Sequence, residues 1–311
     1  MKKGSCSIRS LLNQFNFEVL NLDDKDLNKT ITHAELNRPG LELAGYFDYT
    51  DFNRAIVLGL KEIKYIETMS IAKQKEAFKF LTKKTIPYIV ISRNLECPEL
   101  LLETCKKNHF PLFRSEDNTS ELISKITIFT NEQLAYQELY HGTLLEIFGV
   151  GVLVMGKSGI GKSETALELI KKGHRLIADD SIIIYEVHHT LFGKAPEHLA
   201  NLLEVRGIGV VDVSKIFGIT SVAQVSQIDY VIELVSQAEI DKEKRLSTSE
   251  QYLKIMDKSL RKVKIPVAPG RMVADLVEVA VTNMRLKSEG FDATKDLVDN
   301  YDRLTAEKGE K

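Results

Sequence analysis

Apolar positions in the second half of the chain follow a strand–loop–helix pattern. Residues 150–155 form an almost continuous apolar run, which predicts a buried strand. Residues 164–172 then place Ala166, Leu169 and Ile170 on one helical face, and Gly173 follows where a helix commonly ends. The pattern therefore predicts a buried strand, a short loop and an amphipathic helix, in that order.

The first part of the chain alternates short apolar runs with helical patterns, which is typical of an α/β domain. Buried strands are predicted at residues 55–59 and 88–92, and the second is followed by a helix at 98–108 and a strand at 110–113. Thr119 or Ser120 is predicted to cap a further helix, which extends through residue 128 and continues over residues 133–140.

From His141 onward, strands become denser and glycines mark the turns. Three strands are predicted, at residues 175–178, 182–185 and 227–235. Residues 207–212 fit either a strand or a loop with close backbone approach. Residues 238–249 are polar and predict a mobile surface loop, and a final helix is predicted at 272–287 before a frayed tail after residue 302.

Composition and length limit the classes of protein that the chain can be. Its 311 residues suggest two domains, and 43% apolar residues are enough for normal cores. We place the boundary near residue 130, between an N-terminal α/β domain of unknown role at 1–130 and a C-terminal domain at 131–311. The net charge of −2 gives no basic field for nucleic acid or a membrane surface.

The cysteines and the hydropathy of the chain indicate the cellular compartment of the protein. Cys6, Cys97 and Cys105 are an odd number and lack C-x-x-C spacing. They fit reduced thiols better than a disulfide framework or a zinc site. The sequence has no apolar run of the length that a membrane span needs. We therefore expect a cytoplasmic protein without nucleic-acid or membrane partners.

The loop between the predicted strand and helix has the phosphate-binding pattern G-x-x-x-x-G-K-[ST]. Its residues are Gly156, Lys157, Ser158, Gly159, Ile160, Gly161, Lys162 and Ser163. Backbone N–H groups of such a loop surround phosphate oxygens, and the helix N-terminus adds the positive end of its dipole. Lys162 can reach the β- and γ-phosphates, and the Ser163 hydroxyl can bind Mg²⁺. The loop predicts binding of a nucleoside triphosphate.

Other motifs distinguish among phosphate-loop proteins. The guanine-selecting Asn-Lys-x-Asp element has its nearest match at residues 28–31, which lack the carboxylate, so a switch GTPase is disfavoured. Asp179 and Asp180 come only six residues after Gly173. One carboxylate of such a pair can approach Mg²⁺ while the other acts as a base. Which does which stays open, and a turn with both side chains solvated is the alternative.

Two further segments carry charges beside glycines. Glu204 and Arg206 could serve Mg²⁺ and phosphoryl oxygens, or form an ordinary surface ion pair. Arg271 follows a proline–glycine pair at a helix start, where a cation opposes the helix dipole unless an anion lies between them. By itself, His141 is a packing residue and Arg245 a solvated one.

Taken together, these elements resemble the bifunctional HPr kinase/phosphorylase family of low-GC Gram-positive bacteria. They occur in the family's order and approximate spacing across residues 141–271. Residues 247–264 and Ala268 depart from the family pattern. The matching elements are His141 with Gly142, the loop Gly156 to Ser163 with Glu164, Asp179 with Asp180, the segment Leu203, Glu204, Val205, Arg206, Gly207, Ile208, Gly209, Val210, Val211 and Asp212, then Arg245, and finally Pro266, Val267, Ala268, Pro269, Gly270 and Arg271.

The resemblance implies an α/β fold with an N-terminal α/β domain and a C-terminal P-loop kinase domain, whose core resembles phosphoenolpyruvate carboxykinase. It also implies a hexamer, the phosphocarrier protein HPr as substrate, a serine as acceptor, and inorganic phosphate as the second co-substrate. Control by fructose 1,6-bisphosphate and phosphate is implied by the family and is not visible in the residues.

We therefore predict an ATP- and Mg²⁺-dependent protein-serine kinase that also removes the phosphate by phosphorolysis. Asp180 or Asp179 is expected to act as base, Lys162 to stabilise the transferred group, and Ser163 and Glu204 to hold Mg²⁺. His141 is expected to tune the acidic pair, and Arg245 to act near the phosphoryl group or the partner. A nucleotide-dependent binding module and a small-metabolite kinase are the alternatives.

Overall fold

The computed structural model describes residues 2–242, 251–268, 270–293 and 295–297. The chain divides into two compact units, Met1–Gln137 and Glu138–Lys311. Within the described residues, no helix has the length and apolar content required to cross a lipid bilayer. Arg245 and Pro269 lie outside the described residues, as does the tail after residue 302.

The N-terminal unit contains strands and helices in alternation. Its strands are β1 Lys2–Lys3, β2 Cys6–Ser7, β3 Glu18–Asn21, β4 Thr30–Ile31, β5 Leu36–Asn37, β6 Ala55–Leu58, β7 Ile89–Ile91 and β8 Leu112–Arg114. Its helices are α1 Ile8–Gln14, α2 Gly40–Leu43, α3 Leu60–Thr68, α4 Ile71–Leu81, α5 Glu99–Asn108 and α6 Thr119–Leu134, with a 3₁₀ turn at Asp24–Asp26.

The main sheet of this unit has the order β3-β8-β7-β6-β5, with β5 to β8 parallel and β3 antiparallel at one edge. Alternate strand residues face opposite sides. Ile56 and Leu58 pack in the core that also holds α3, α4 and α5, whereas Ala55 and Val57 pack in the core shared with α1 and α6. The sheet is therefore covered on both faces, as parallel sheets usually are.

The second unit is built mainly of strands. They are β9 Tyr136–His141, which begins before the unit boundary, β10 Thr143–Ile147, β11 Val150–Gly156, β12 Arg175–Ala178, β13 Ser181–Val187, β14 Thr190–Lys194, β15 Leu202–Val205, β16 Gly209–Asp212, β17 Val225–Gln227, β18 Tyr230–Ser236, β19 Gln251–Ile255 and β20 Lys258–Val267. Its helices are α7 Lys162–Lys171, α8 Val213–Phe217, α9 Gln237–Lys242 and α10 Val273–Ser288, with 3₁₀ turns at Glu197–Leu199 and Ile219–Ser221.

A six-stranded sheet, in the order β12-β10-β11-β18-β20-β19, forms the centre of the second unit. Residues of α7 and α10, such as Leu169 and Val277, pack with Val152 and Val154 on one face. Leu144 and Leu153 face the other way and pack against Ile182 and Ile184 of a second sheet, which contains β9, β13, β14 and β17. Helices therefore cover one face and strands the other.

Several predicted elements are confirmed by the structure. The strands predicted from residues 55, 88, 150, 175 and 182 are β6, β7, β11, β12 and β13, and the helices predicted at 98–108, 164–172 and 272–287 are α5, α7 and α10. Gly173 adopts φ +98° beyond the end of α7, as expected. Residues 209–212 form a strand, which decides between the two forms predicted for 207–212.

Other predictions are wrong in part. The continuation of helix α6 over 133–140 is wrong, because α6 ends at Leu134 and β9 begins at Tyr136. The cap of α6 is Asn118, whose side chain accepts the N–H of Glu121. The strand predicted at 227–235 is divided between β17 and β18, and that predicted at 110–113 is displaced to β8. Residues 237–242 form α9, so the predicted loop at 238–249 starts as a helix.

Candidate functional site

Four chain segments leave the central sheet at one edge. Strand β11 is parallel to β18, and β18 to β20, while β10 is antiparallel to both β11 and β12. The carboxyl ends of β12, β11, β18 and β20 therefore share an edge. These ends lead to the Asp179–Asp180 pair, the phosphate loop, α9 and residues 268–271. Strand β10 starts at the same edge, directly after His141 and Gly142.

The phosphate loop is shaped by glycines in conformations that other residues avoid. Gly156, Gly159 and Gly161 have φ values of +148°, +75° and +108°. A Cβ at Gly156 would lie 2.6 Å from the Leu234 carbonyl oxygen, so the loop passes close to β18. Lys162, which is 8% exposed, donates from Nζ to the carbonyl oxygens of Gly156 and Lys157 at 3.2 and 3.3 Å. The loop therefore curls around its own lysine.

Asp179 connects three elements of the site. It is 6% exposed. Its Oδ2 accepts hydrogen bonds from the Ser163 hydroxyl at 3.0 Å and the Glu204 N–H at 3.3 Å. Its Oδ1 accepts the Thr143 hydroxyl at 2.6 Å. Both carboxylate oxygens are thus engaged within the protein, beside the first turn of the loop helix.

Asp180 has a different environment although it is the next residue. Its side chain is 67% exposed, and Oδ1 lies 3.0 Å from Nδ1 of His141. The same His141 nitrogen lies 2.9 Å from the Asp180 carbonyl oxygen. Asp180 has φ +63°, and the Ser181 N–H donates to the Asp179 carbonyl at 2.7 Å, which closes a three-residue turn. This tight turn directs the two carboxylates into different surroundings.

The segment 203–212 forms a hairpin from β15 and β16, with its turn at Arg206, Gly207 and Ile208. Leu203 and Val205 are buried in the core that contains α7, which fixes one strand beside the loop helix. The Glu204 and Arg206 side chains are exposed, as are Gly209 and Val210. Val211 and Asp212 are half-buried, and Asp212 caps α8 by accepting the Lys215 N–H. Hydrogen bonding from Ser214 lowers the pKa of Asp212.

The predicted dephosphorylation segment begins in the sheet and ends at a helix. Pro266 and Val267 pair with Val235 and Ser236 at the end of β18. The Arg271 N–H donates to the Ala268 carbonyl at 3.2 Å. Gly270 has φ +80°. The part of the segment that the structure describes therefore starts from the common sheet edge.

Sequence reasoning missed three contacts of the site. Thr143 binds Asp179 across 36 positions of the sequence, and no motif indicated it. Lys157 of the phosphate loop forms an ion pair with Glu239 of α9, and this lysine lowers the pKa of Glu239. The end of α7 is also bonded to α10 through Glu278, where acidic residues at positions 275 and 278 were the only local signal.

Oxygen donors suited to Mg²⁺ lie together at the start of α7. The Ser163 hydroxyl and an Asp179 oxygen are 3.0 Å apart, and the Glu204 main chain adjoins the same carboxylate. Mg²⁺ binds hard oxygen ligands and commonly takes only one or two carboxylates in addition to phosphate oxygens and water. The Ser163 hydroxyl and the Asp179 carboxylate are oxygen ligands of the kind that fit Mg²⁺ bound to a nucleotide. Across the part of the chain that is described, no group of three or more His, Cys, Asp or Glu residues could form a separate metal centre.

Comparison with known proteins identifies the family. The model for the HPr Serine kinase C-terminal domain matches residues 132–301, and that for the HPr Serine kinase N terminus matches residues 6–129. The HPr kinase/phosphorylase of Enterococcus faecalis is 40% identical over 301 residues, 96% of this chain and 97% of that protein. The HPr kinase/phosphorylase of Bacillus subtilis is 40% identical over 288 residues, 92% of this chain and 93% of that protein.

Among solved structures, the Hpr(Ser) kinase/phosphatase from Coxiella burnetii has 32% sequence identity and a TM-score of 0.46, covering 51% of this chain and 98% of that chain. Membership rests on the sequence matches, which extend over both units. The chain belongs to the HPr kinase/phosphorylase family and is a kinase, that is, a phosphotransferase enzyme.

Proposed function

We propose that the enzyme transfers the γ-phosphoryl group of ATP to a serine of HPr, and removes it by phosphorolysis to release pyrophosphate. One observation carries the proposal. Asp180 is exposed beside His141, whereas Asp179 is buried and accepts a hydrogen bond from Ser163 at the start of the loop helix. The two carboxylates are thereby suited to different tasks, as a base and as part of the nucleotide–metal site.

The phosphate loop is proposed to hold ATP, in a P-loop kinase domain similar to the phosphoenolpyruvate carboxykinase core. Helix α7 has Gly161 at its cap position and no side-chain cap, so its first N–H groups are available to phosphate oxygens. Lys162 would exchange its two carbonyl partners for β- and γ-phosphate oxygens. Ser163, Asp179 and Glu204 would hold Mg²⁺, which neutralises phosphate charge as the phosphoryl group transfers.

Of the two acidic residues that the sequence left as candidates, Asp180 is the proposed base. Asp179 is buried and accepts hydrogen bonds from within the protein at both oxygens, so it is poorly placed to take a proton from a protein substrate. Asp180 is accessible, and His141 lies against one of its oxygens. In the forward reaction, Asp180 takes the serine proton, the serine oxygen bonds to the γ-phosphorus, and ADP leaves.

The same groups can operate in the reverse direction. A phosphate oxygen attacks the seryl phosphorus, the bond from the serine oxygen to phosphorus breaks, and protonated Asp180 returns its proton to the serine oxygen. Inorganic phosphate would lie where the loop holds the β-phosphate of ADP. Pyrophosphate is then the product. Arg271 lies between β20 and α10, and its proposed role is to favour this second reaction.

The remaining assignments depend on the family resemblance. Arg245 is proposed to act near the phosphoryl group or HPr, and the enzyme is proposed to be a cytoplasmic homohexamer that regulates carbon metabolism. The proposals on assembly, compartment and regulation can fail without affecting the role proposed for Asp180.

Labelled ATP and purified HPr test the kinase reaction. We expect stable label on a serine of HPr. Nucleotide retention without transfer would instead support a binding module, and label on a small metabolite would support a metabolite kinase. Seryl-phosphorylated HPr tests the second reaction, because phosphorolysis requires added phosphate and yields pyrophosphate. Rapid removal without phosphate, releasing only orthophosphate, would show hydrolysis.

Arg271→Ala tests the assignment within the second reaction. We expect removal to fall by more than phosphorylation, because Arg271 is proposed to favour the phosphate co-substrate. Rates in both directions are measured under single-turnover conditions. Equal losses in the two directions would contradict a specific role for Arg271.

A further inference from the structure

The end of the phosphate-loop helix is bonded to the last helix of the unit. Lys172 Nζ lies 2.6 Å from Glu278 Oε2, and it also pairs with Asp275. His174 Nε2 lies 2.8 Å from the other Glu278 oxygen, Oε1. Both oxygens of Glu278 are therefore held by residues that follow α7, across more than 100 positions of sequence.

The residues that bind Glu278 are held in place by the hydrogen bonds that end α7. The Gly173 N–H donates to Ile170 and the His174 N–H donates to Leu169, at 2.9 and 3.1 Å. With Gly173 at φ +98°, this is a Schellman motif. His174 is only 5% exposed. The end of α7 thus holds Lys172 and the buried imidazole of His174 in fixed positions.

Phe148 adds a third constraint on His174. Ile147 pairs with Val150, so Phe148 and Gly149 form a two-residue turn between β10 and β11. Phe148 has φ +52°, a strained conformation for a bulky residue. Its ring meets that of His174 edge-on, with centroids 4.7 Å apart and an interplanar angle of 87°. The turn between β10 and β11 thus places the Phe148 ring against the imidazole that binds Glu278.

The start of α10 has no side-chain cap. Its cap position is Met272, and no side chain there bonds to the helix backbone. Asp275 and Glu278, in its first two turns, are the residues that Lys172 binds. Arg271 lies seven residues before Glu278, and both line a cavity of about 700 Å³. These ion pairs therefore join the first two turns of α10 to the end of α7, in addition to the burial of Val273 and Ala274 in the core.

We propose that Glu278 is a positioning residue for the second reaction, acting through α10 to hold Arg271 and its segment relative to the phosphate-loop helix. This inference rests on the proposed phosphorolysis. The loop itself is held elsewhere, by β11, by its contact with β18 and by the bond from Ser163 to Asp179. Loss of Glu278 should therefore disturb removal while leaving nucleotide binding and phosphorylation largely intact.

The charge state of Glu278 agrees with this role. Hydrogen bonding from Lys172, and then from His174, lowers the pKa of Glu278. The carboxylate is thus ionised at neutral pH and can accept hydrogen bonds from both Lys172 and His174. Replacement by glutamine keeps the shape of the side chain and removes its charge.

Glu278→Gln is tested in both directions with the full-length enzyme. We expect phosphate-dependent removal to fall at least about tenfold, which is about 1.4 kcal/mol in activation free energy, and phosphorylation to stay within about threefold. Nucleotide affinity should be unchanged. Glu289→Gln is the matched control, because Glu289 pairs with Arg285 at the other end of α10. Equal loss in both directions, together with a lower melting temperature, would indicate a merely structural role and overturn the proposal.

Lys172→Met provides a second route if Glu278→Gln does not fold. Lys172 is one-third exposed, so its loss leaves no buried cavity. We expect the same bias against removal, and the Lys172→Met/Glu278→Gln double variant should lose less than the product of the single losses. Fully multiplicative losses would contradict coupling through this pair. If the unmodified enzyme showed no phosphate-dependent removal, the proposed function would fail, and that is distinguishable from a failure of Glu278.

Discussion

Each unit contains a parallel strand that leads through a glycine into a helix, and the two differ in what lies at the helix start. In the N-terminal unit, β6 passes directly into α3, and the Gly59 N–H donates to Glu62 Oε2 at 2.9 Å. In the second unit, five residues separate β11 from α7, whose Gly161 cap has no side-chain bond. The first helix start is occupied by the chain's own carboxylate, and the second is open.

Space around the glycines shows the same difference. A Cβ at Gly59 would lie 2.7 Å from Thr119 Oγ1 and 3.0 Å from Glu62 Oε2. A Cβ at Gly159 or Gly161 would meet nothing within 4 Å. The start of α7 therefore has room for an anion, which the start of α3 does not.

The largest effect is expected from Lys162→Ala, which removes the cation of the open helix start. Both reaction directions should fall about a thousandfold, because a charge-assisted contact to the transferring group is lost. Single-turnover rates measure the effect, with circular dichroism to check the fold. Lys171→Ala, at the exposed end of the same helix, should change little. Transfer within threefold of the unmodified enzyme would contradict the phosphate-loop assignment.

The variants Asp180→Asn and Asp179→Asn test the separate functions proposed for the two acidic residues. Asp180→Asn should slow transfer about a hundredfold while nucleotide affinity stays within threefold, because the base is lost and the shape is kept. Asp179→Asn should raise the Mg²⁺ concentration needed for half-maximal nucleotide binding. Titration calorimetry with Mg²⁺ or with EDTA separates binding from chemistry. The opposite pattern would assign the base to Asp179.

Local sequence pattern was sufficient for much of the fold. Apolar spacing predicted β11, α7 and α10 because each has one face in a core, as Leu169 and Val277 show. It failed at residues 136–141, which continue a helix in pattern but form β9 in the structure. Strand pairing is decided by distant partners, and β9 borders β13 in its sheet. Tertiary pairing overrode the local preference.

The parts of the site whose residues lie close together along the chain could be predicted from the sequence. The phosphate loop is contiguous, so its pattern was readable, as were the adjacent Asp179 and Asp180. The different environments of the two carboxylates come from Thr143 and His141, 36 and 39 positions away along the chain. No sequence pattern indicated the Thr143 contact, and a role for His141 beside the acidic pair was expected only from the family resemblance. The partners of Glu278 are likewise more than 100 positions away along the chain.

Glu62→Gln tests the occupied helix start. Glu62 is buried, caps α3 and forms a bidentate pair with Arg38 at 3.1 Å from both donor nitrogens. Loss of its charge should destabilise the N-terminal unit by about 2 kcal/mol, because hydrogen bonds to a charged group are weakened in a buried place. Pulse proteolysis in urea, with fragments separated by mass, measures each unit's unfolding.

Nucleotide affinity and the denaturation of the second unit should not change in Glu62→Gln. Glu67→Gln is the matched control on the same helix, since Glu67 is half-exposed and forms an ion pair with the exposed Lys64. A loss of nucleotide binding in Glu62→Gln would contradict the view that the helix start in this unit is structural.

The smallest expected effect concerns alkaline pH, and it too separates the units, because all three cysteines of the chain lie in the first. Burial raises the pKa of Cys6 and Cys97 from 9.0 to about 11 and that of Cys105 to about 12.

The stability that these protonated thiols contribute is fully present below pH 9. It is lost as the pH rises towards the pKa values of the folded protein, because the thiols of the unfolded chain ionise first. At pH 9.5 the loss is about 1 kcal/mol for each thiol. Cys105→Ala should therefore reduce the difference in unfolding free energy between pH 7.5 and 9.5 by about that amount. Pulse proteolysis at the two pH values measures it in the N-terminal unit, and an unchanged difference would show that the Cys105 thiol is not protected by burial.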